Sequence, residues 1–147
     1  LDELDRKIVK LLIQNARMSY SDIGEQIGIS RVAVRSRVQA LEQRGIIEEY
    51  TTIINPQKIS GAISCYFEIE TTPETLAETA ARLKENDTVT QIYRVTGKSK
   101  LHVHAVASSS EEMEKLMYET IDKLPGVLEC SCNMIFSRIK DIKGLRL

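Results

Sequence analysis

The chain has 147 residues, 42% of them hydrophobic and 28% charged, with a formal net charge of −1. That length and balance place it among globular proteins with one ordinary or two small domains, and they exclude binding polyanions by bulk charge. No apolar run approaches the ~18 residues of a membrane span, and "LDELDRKIVK" at the start lacks a signal-peptide stretch, so the expected location is cytoplasmic.

From Leu1 to about Gly45 the apolar residues repeat at helical spacing. Leu4, Ile8, Leu11 and Leu12 make one stripe, with Asp2 as N-cap and Asp5 adding negative charge to the first turn. "NARMS" ends this helix. A second begins at Ser19, where "SYSD" resembles a capping box with Asp in place of Glu; Ile23 and Ile27 face inward, and Gly28 stops it. Ser30 caps a third helix with Val34, Val38 and Leu41 inside, and Gly45 ends it with Ile46 as the following hydrophobic contact. The spacing in "IGEQIGISRVAV" is that of a helix-turn-helix.

"EYTTIINPQKISG" reads as a short strand, a turn at Asn55-Pro56 and a loop to Gly61. Beyond it the period changes to alternation. "AISCYFEIE" puts Ile63, Cys65, Phe67 and Ile69 on one face. "PETLAETAARLKEN" is a helix with Leu76, Ala80 and Leu83 inward. "TVTQIYRV" and "KLHVHAVA" are strands joined at "TGKS". "SSEEMEKLMYETIDKL" is a helix with Met113, Leu116, Met117 and Ile121 as its stripe, and "VLECSCNMIFSRI" is the last strand. The expected fold is α+β: an N-terminal three-helix, winged-helix-like helix-turn-helix domain (1–48), a hinge (49–61), a C-terminal ferredoxin-like βαββαβ sandwich (62–140) and a tail (141–147). The uncovered face of the sheet carries Tyr66, His102, His104 and Val106 beside Ser64 and Glu68. That is too apolar at its centre for open water, and a second copy of the sheet is the expected cover.

Three cysteines, Cys65, Cys130 and Cys132, are an odd count without framework spacing, which favours a reducing compartment. His102 and His104 share one face, as a metal pair would. Cys130 and Cys132 belong by pattern with Leu128, Met134 and Phe136 on the opposite, helix-covered face, so one metal site using all four is not expected. The cysteines read as small buried hydrophobes and the histidines as interface residues. No phosphate-cradling loop, nucleophile elbow or HExxH helix is present, and neither an enzyme nor a metal protein is expected.

The charge is uneven. Between Gln26 and Gly45 four arginines, Arg31, Arg35, Arg37 and Arg44, face only Glu42. On the third helix Val32, Arg35, Ser36, Gln39 and Gln43 point away from the inward stripe, and Arg31 lies at the N-terminal rim. Arginine can pair with guanine, serine and glutamine offer adaptable polar contacts, and Val32 suits a thymine methyl group. Arg37 lies nearer the core flank, as an anchor to the preceding helix or to the DNA backbone. The candidate double-stranded DNA contacts are therefore Ser30, Arg31, Val32, Arg35, Ser36, Arg37 and Gln39. One such helix binds weakly, so a dimer presenting two of them ~34 Å apart is expected.

In the order "LDELDRKIVKLL", "ISRVAVRSRVQALEQRGII", "YRVTG" and "LPGVLECSCNMIF", the whole chain resembles the Lrp/AsnC family of transcription regulators. The resemblance implies a helix-turn-helix, a sandwich that dimerises through its sheet, assembly to tetramers or octamers, and an amino acid bound near the turn between the second and third sheet strands and the start of the last. The matching positions here are Thr96, Gly97, Lys98, Ser99, Lys100, Cys130 and Cys132. The family's turn typically reads Gly-Asp-x-Asp and its last strand Thr-x-Thr. Lysines at both acidic positions would repel an ammonium group and favour carboxylate, so an amino-acid-like or small carboxylate effector is expected, with no other cofactor. Siroheme decarboxylases also resemble this family, and His102 or His104 would then be porphyrin contacts. The basic helix argues against that alternative.

Overall fold

The computed structural model describes residues 1–147. The chain forms two units, residues 1–53 together with 141–147, and residues 54–140. No helix is long and apolar enough to cross a membrane.

In the first unit α1 spans Glu3–Gln14, α2 Tyr20–Ile27 and α3 Arg31–Gln43. A reciprocal capping box starts α1: the Asp5 N–H donates to the Asp2 carboxylate at 2.8 Å, and the Asp2 N–H donates back to Asp5 at 3.4 Å. Ser19 caps α2 by accepting from the Asp22 N–H at 3.0 Å, and Gly28 closes it with φ +77°. Ser30 caps α3 by accepting from the Ala33 N–H at 3.1 Å. The inward stripes of the three helices meet in one core built on Ile8, Leu12, Ile23, Val34 and Val38. At the end of α3, Ile46 N–H donates to the Leu41 carbonyl and Gly45 N–H to the Glu42 carbonyl, both at 2.9 Å, a Schellman closure around Gly45 (φ +67°). The hydrophobic contact expected of Ile46 is made instead by Ile47, which packs on the core while Ile46 is exposed. The strand expected at Tyr50 does not form, nor do wing strands, because no neighbouring strand offers a ladder there. Tyr50, Ile53 and Ile54 stay exposed, and a short 3₁₀ turn at Pro56–Lys58 follows.

The second unit is a four-stranded antiparallel sheet in the order β2-β3-β1-β4, with β1 at Ile63–Thr71, β2 at Val89–Arg94, β3 at Lys100–Ala107 and β4 at Val127–Met134. Helix α4 (Leu76–Lys84) lies against β2, and α5 (Ser110–Lys115) lies against β3. A π turn at Leu116–Thr120 and a 3₁₀ turn at Ile121–Lys123 prolong α5. They keep Leu116 and Ile121 in the core beside Met113 where a regular helix was expected. The core lies between the helices and one sheet face: Cys65, Phe67 and Ile69 of β1 with Leu101, Val103, Ala105 and Ala107 of β3.

Strand β4 stops sooner than expected, at Met134. Phe136 and Ile139, expected to continue it, are 99% and 96% exposed. After the Ile135 N–H, which reaches the Ser64 carbonyl at 2.8 Å, only Ile63 of β1 is left, too little strand to carry the pairing on to Ile139. The expected burial of Cys130 and Cys132 is also corrected. Both lie in register with core residues, Cys130 opposite Ile69 and Cys132 opposite Phe67, but β4 is an edge strand that the helices leave bare, and both thiols are exposed.

Candidate nucleic-acid interface

The turn between α2 and α3 is compact because glycine occupies two of its key positions. Gly28 supplies the left-handed residue, and Gly24, buried inside α2, lets the next segment fold directly over it: the Gly28 and Ile29 N–H groups both donate to the Gly24 carbonyl, at 2.8 and 3.0 Å. The sequence reading missed Gly24. A glycine inside a helical pattern four residues before a turn was the available signal.

Once Val34, Val38 and Leu41 are turned inward, α3 presents Arg31, Val32, Arg35, Ser36 and Gln39 to solvent. Val32 is 72% exposed, an isolated apolar side chain among polar ones. Arg31, Arg35 and Arg44 make no ion pair within the chain. Glu42, the one acid on α3, accepts a hydrogen bond from the Tyr50 hydroxyl at 2.9 Å and forms an ion pair with none of the arginines. Although the ring is exposed, desolvation at the hydroxyl, followed by this hydrogen bond, pushes the Tyr50 phenol up to about 12. Arginines near a helix N-terminus sit at the end where the helix dipole disfavours cations, and an external anion relieves that conflict.

Arg37 differs. Its guanidinium lies 2.6 Å from the Asp2 carboxylate and 3.0 Å from that of Asp5, the two residues of the α1 capping box. The Arg37 hydrogen bond is the main cause holding the Asp2 carboxyl below its usual range. Of the two anchoring roles expected for Arg37, the one toward the preceding helix does not hold, because the partner is α1, which engages Nη1 of the guanidinium. Arg37 fixes α3 against α1.

The other predicted residues lie on the sheet and do not form one cluster. Thr96, Gly97, Lys98 and Ser99 form the bend between β2 and β3, where Gly97 has φ +100° and the Ser99 carbonyl accepts from the Thr71 N–H at 2.8 Å. Lys100 opens β3 on the uncovered face of the sheet, opposite Glu70, whereas Cys130 and Cys132 share the face of Ile69 and Phe67. The lysines are not the free cations that the sequence suggests, because β1 supplies counter-charges: Lys98 is 3.6 Å from Glu70 and Lys100 is 3.4 Å from Glu68. Burial pushes the Cys65 thiol up to about 11, with the neighbouring Cys132 thiol adding to it.

Across the uncovered face runs a polar network. The Tyr66 hydroxyl donates to Glu68 at 2.9 Å and lies 2.7 Å from Nδ1 of His102, whose Nε2 is 3.0 Å from the same carboxylate. The Tyr66 ring meets both His102 and His104 edge to face, at 5.1 and 5.2 Å. No group of three or more His, Cys, Asp or Glu side chains is placed to hold a metal ion.

Comparison with known proteins agrees with this arrangement. Residues 1–42 match the AsnC-type helix-turn-helix domain, and residues 64–145 match the Lrp/AsnC ligand binding domain. The HTH-type transcriptional regulator LrpA of Pyrococcus horikoshii is 35% identical over 140 residues, which cover 95% of this chain and 99% of that one. E. coli AsnC superimposes with a TM-score of 0.85 at 22% identity, over 100% of this chain and 99% of that one. A transcriptional regulator of Neisseria meningitidis, solved in complex with L-methionine, has a TM-score of 0.86 at 20% identity, over 99% and 96% of the two chains. With both domain types matched and a relative 35% identical over 95% of the chain, the chain belongs to the Lrp/AsnC family of helix-turn-helix transcriptional regulators, and it is a DNA-binding regulator rather than an enzyme.

Proposed function

We propose that the chain reads duplex DNA through the exposed face of α3, with Arg35, Ser36, Gln39 and Val32 directed at base edges and Ser30 and Arg31 at the backbone. The observation that carries this reading is the set of unpaired arginines on a helix whose single acid is engaged elsewhere. The test is selection of duplexes from a random pool, followed by fluorescence anisotropy on the selected site. Arg35→Ala lowers affinity for that site by about 1–3 kcal/mol and relaxes the base preference. Equal affinity and preference in the variant would place the reading face elsewhere.

The regulator works as a dimer. Tyr66, His102 and His104 are only half-buried on a sheet face with Val106 exposed at 36%, and a second copy stacked on that face would complete their burial. Leu128, Met134, Phe136 and Ile139 form a second exposed apolar strip along and beyond β4, which supports assembly of dimers into tetramers or octamers.

The ligand-binding domain takes an amino-acid-like effector at the bend beside Lys98. Each lysine there is matched with a glutamate, so the bend offers a cation and an anion together, which suits a zwitterion better than a simple carboxylate. Calorimetry with L-amino acids against the corresponding 2-keto acids tests this, and preference for the keto acid would contradict it.

A further inference from the structure

We infer that the N-terminal unit holds a second small-molecule site, beside Arg31, that takes an aromatic monocarboxylate and thereby competes with DNA for that guanidinium. The competition rests on the proposed DNA contact of Arg31; the binding does not. The site is an open concavity of about 430 Å³ lined by Leu12 from the end of α1, Ala16 and Met18 from the following turn, Ser19 and Tyr20 from the start of α2, Arg31 from the first turn of α3, and Tyr50. Its volume falls at the small end of the range for ligand sites.

Three features point to the occupant. The lining is apolar and aromatic, with two tyrosine rings and a methionine around a floor made by Leu12, which is 9% exposed. Its walls are tethered from outside, Tyr50 through its hydroxyl to Glu42 and Met18 through its sulfur to the Gln26 side chain at 3.7 Å, so the shape exists before a ligand arrives. The single formal charge in the lining is Arg31, which has no partner within the chain. A guanidinium at the rim of an apolar pocket, with no lining acid to compete, is built for a carboxylate carried on an apolar body. An arginine held by that carboxylate cannot also neutralise a DNA phosphate, so occupancy weakens DNA binding.

The experiment is isothermal calorimetry on the full chain with indole-3-acetate and phenylpyruvate, and with indole-3-acetamide as the uncharged control. At least one of the acids binds saturably at one site per chain, and the amide binds at least tenfold more weakly than the indole acid. Ala16→Trp, at an exposed turn position, fills the cavity and abolishes acid binding, while its DNA affinity without acid stays within twofold of the parent. Added acid then weakens DNA binding of the parent but not of Ala16→Trp. Circular dichroism establishes that the variant is folded, and Ala16→Leu is the smaller filling if it is not. Binding of neither acid, equal binding of acid and amide, or binding that survives the filled cavity each overturns the proposal. So does a filled variant that has itself lost DNA affinity, since the cavity would then be a seat for DNA. If the chain binds no DNA at all, the calorimetry still decides the pocket, so the two readings fail separately.

Discussion

Replacing Gly24 by alanine sets two effects of opposite sign against each other. In an exposed helix interior the change stabilises by about 1 kcal/mol, because glycine gives up more backbone entropy on folding. Here the new Cβ would come closer than 3.0 Å to the Ile29 carbonyl oxygen, and within 3.4 Å of the Ser30 carbonyl carbon and 3.5 Å of the Arg31 nitrogen. All three are backbone atoms held by hydrogen bonds to Gly24 itself and by the first turn of α3, so no rotamer change relieves the contact. Overpacking of this kind costs about 1–3 kcal/mol, and a backbone neighbour puts it at the upper end. The net loss is then roughly 2 kcal/mol, or about 10 °C in the melting temperature of so small a unit. Differential scanning calorimetry measures it, and DNA affinity falls in parallel because Ile29 can retreat only by carrying the start of α3 with it. Gly28→Ala is the comparison: it has φ +77° with nothing within 4 Å, so it loses stability through backbone strain alone. A Gly24→Ala protein as stable as the parent, or more so, would refute the close turn on which the interface depends.

Other consequences follow from the same geometry. Asp2 is held below its ordinary pKa of 3.8 chiefly by the hydrogen bond from Arg37, so its contribution is present above that value and is lost as the pH falls through the lowered one. Denaturant midpoints of the parent should therefore fall more between pH 5 and pH 3 than those of Arg37→Met, and identical slopes would show that the pair contributes nothing. The Thr79 hydroxyl is buried in α4 without a hydrogen-bond partner, so Thr79→Val should raise stability by about 1 kcal/mol in thermal melts, and a loss would mean the hydroxyl is satisfied. Tyr66→Glu places a second carboxylate beside Glu68 on the uncovered sheet face and should convert dimer to monomer in sedimentation without changing the far-UV spectrum; an unchanged dimer would move the interface elsewhere.

What the sequence showed and what it hid divide along a physical line. Signals carried within a few residues were legible: the caps at Asp2, Ser19 and Ser30, the left-handed glycines at 28 and 45, and the stripes at 3.6 and 2.0 residues. Strand β3 could be read to both ends because its alternation is strict and both its neighbours are strands. Features that depend on a partner distant in sequence were hidden. The face of Cys130 and Cys132 follows from alternation, but their exposure follows from where two helices stop covering the sheet. The chain around Tyr50 has the composition of a strand, yet a strand exists only where something pairs with it. Arg37 belongs by type with the other arginines, and only the approach of α1 removes it from the set. Lys98 and Lys100 read as free cations until register brought Glu68 and Glu70 beside them.

Reading of DNA by this chain depends on α3 entering the groove. Base-resolved interference footprinting on a selected duplex tests it directly, with purines methylated at guanine N7 in the major groove and at adenine N3 in the minor groove, and with Arg35→Ala protein compared against the parent. Two major-groove patches about one helical turn apart are expected, with Arg35→Ala losing sensitivity at a guanine in each. Interference confined to the minor groove, or an identical pattern from the variant, would contradict it.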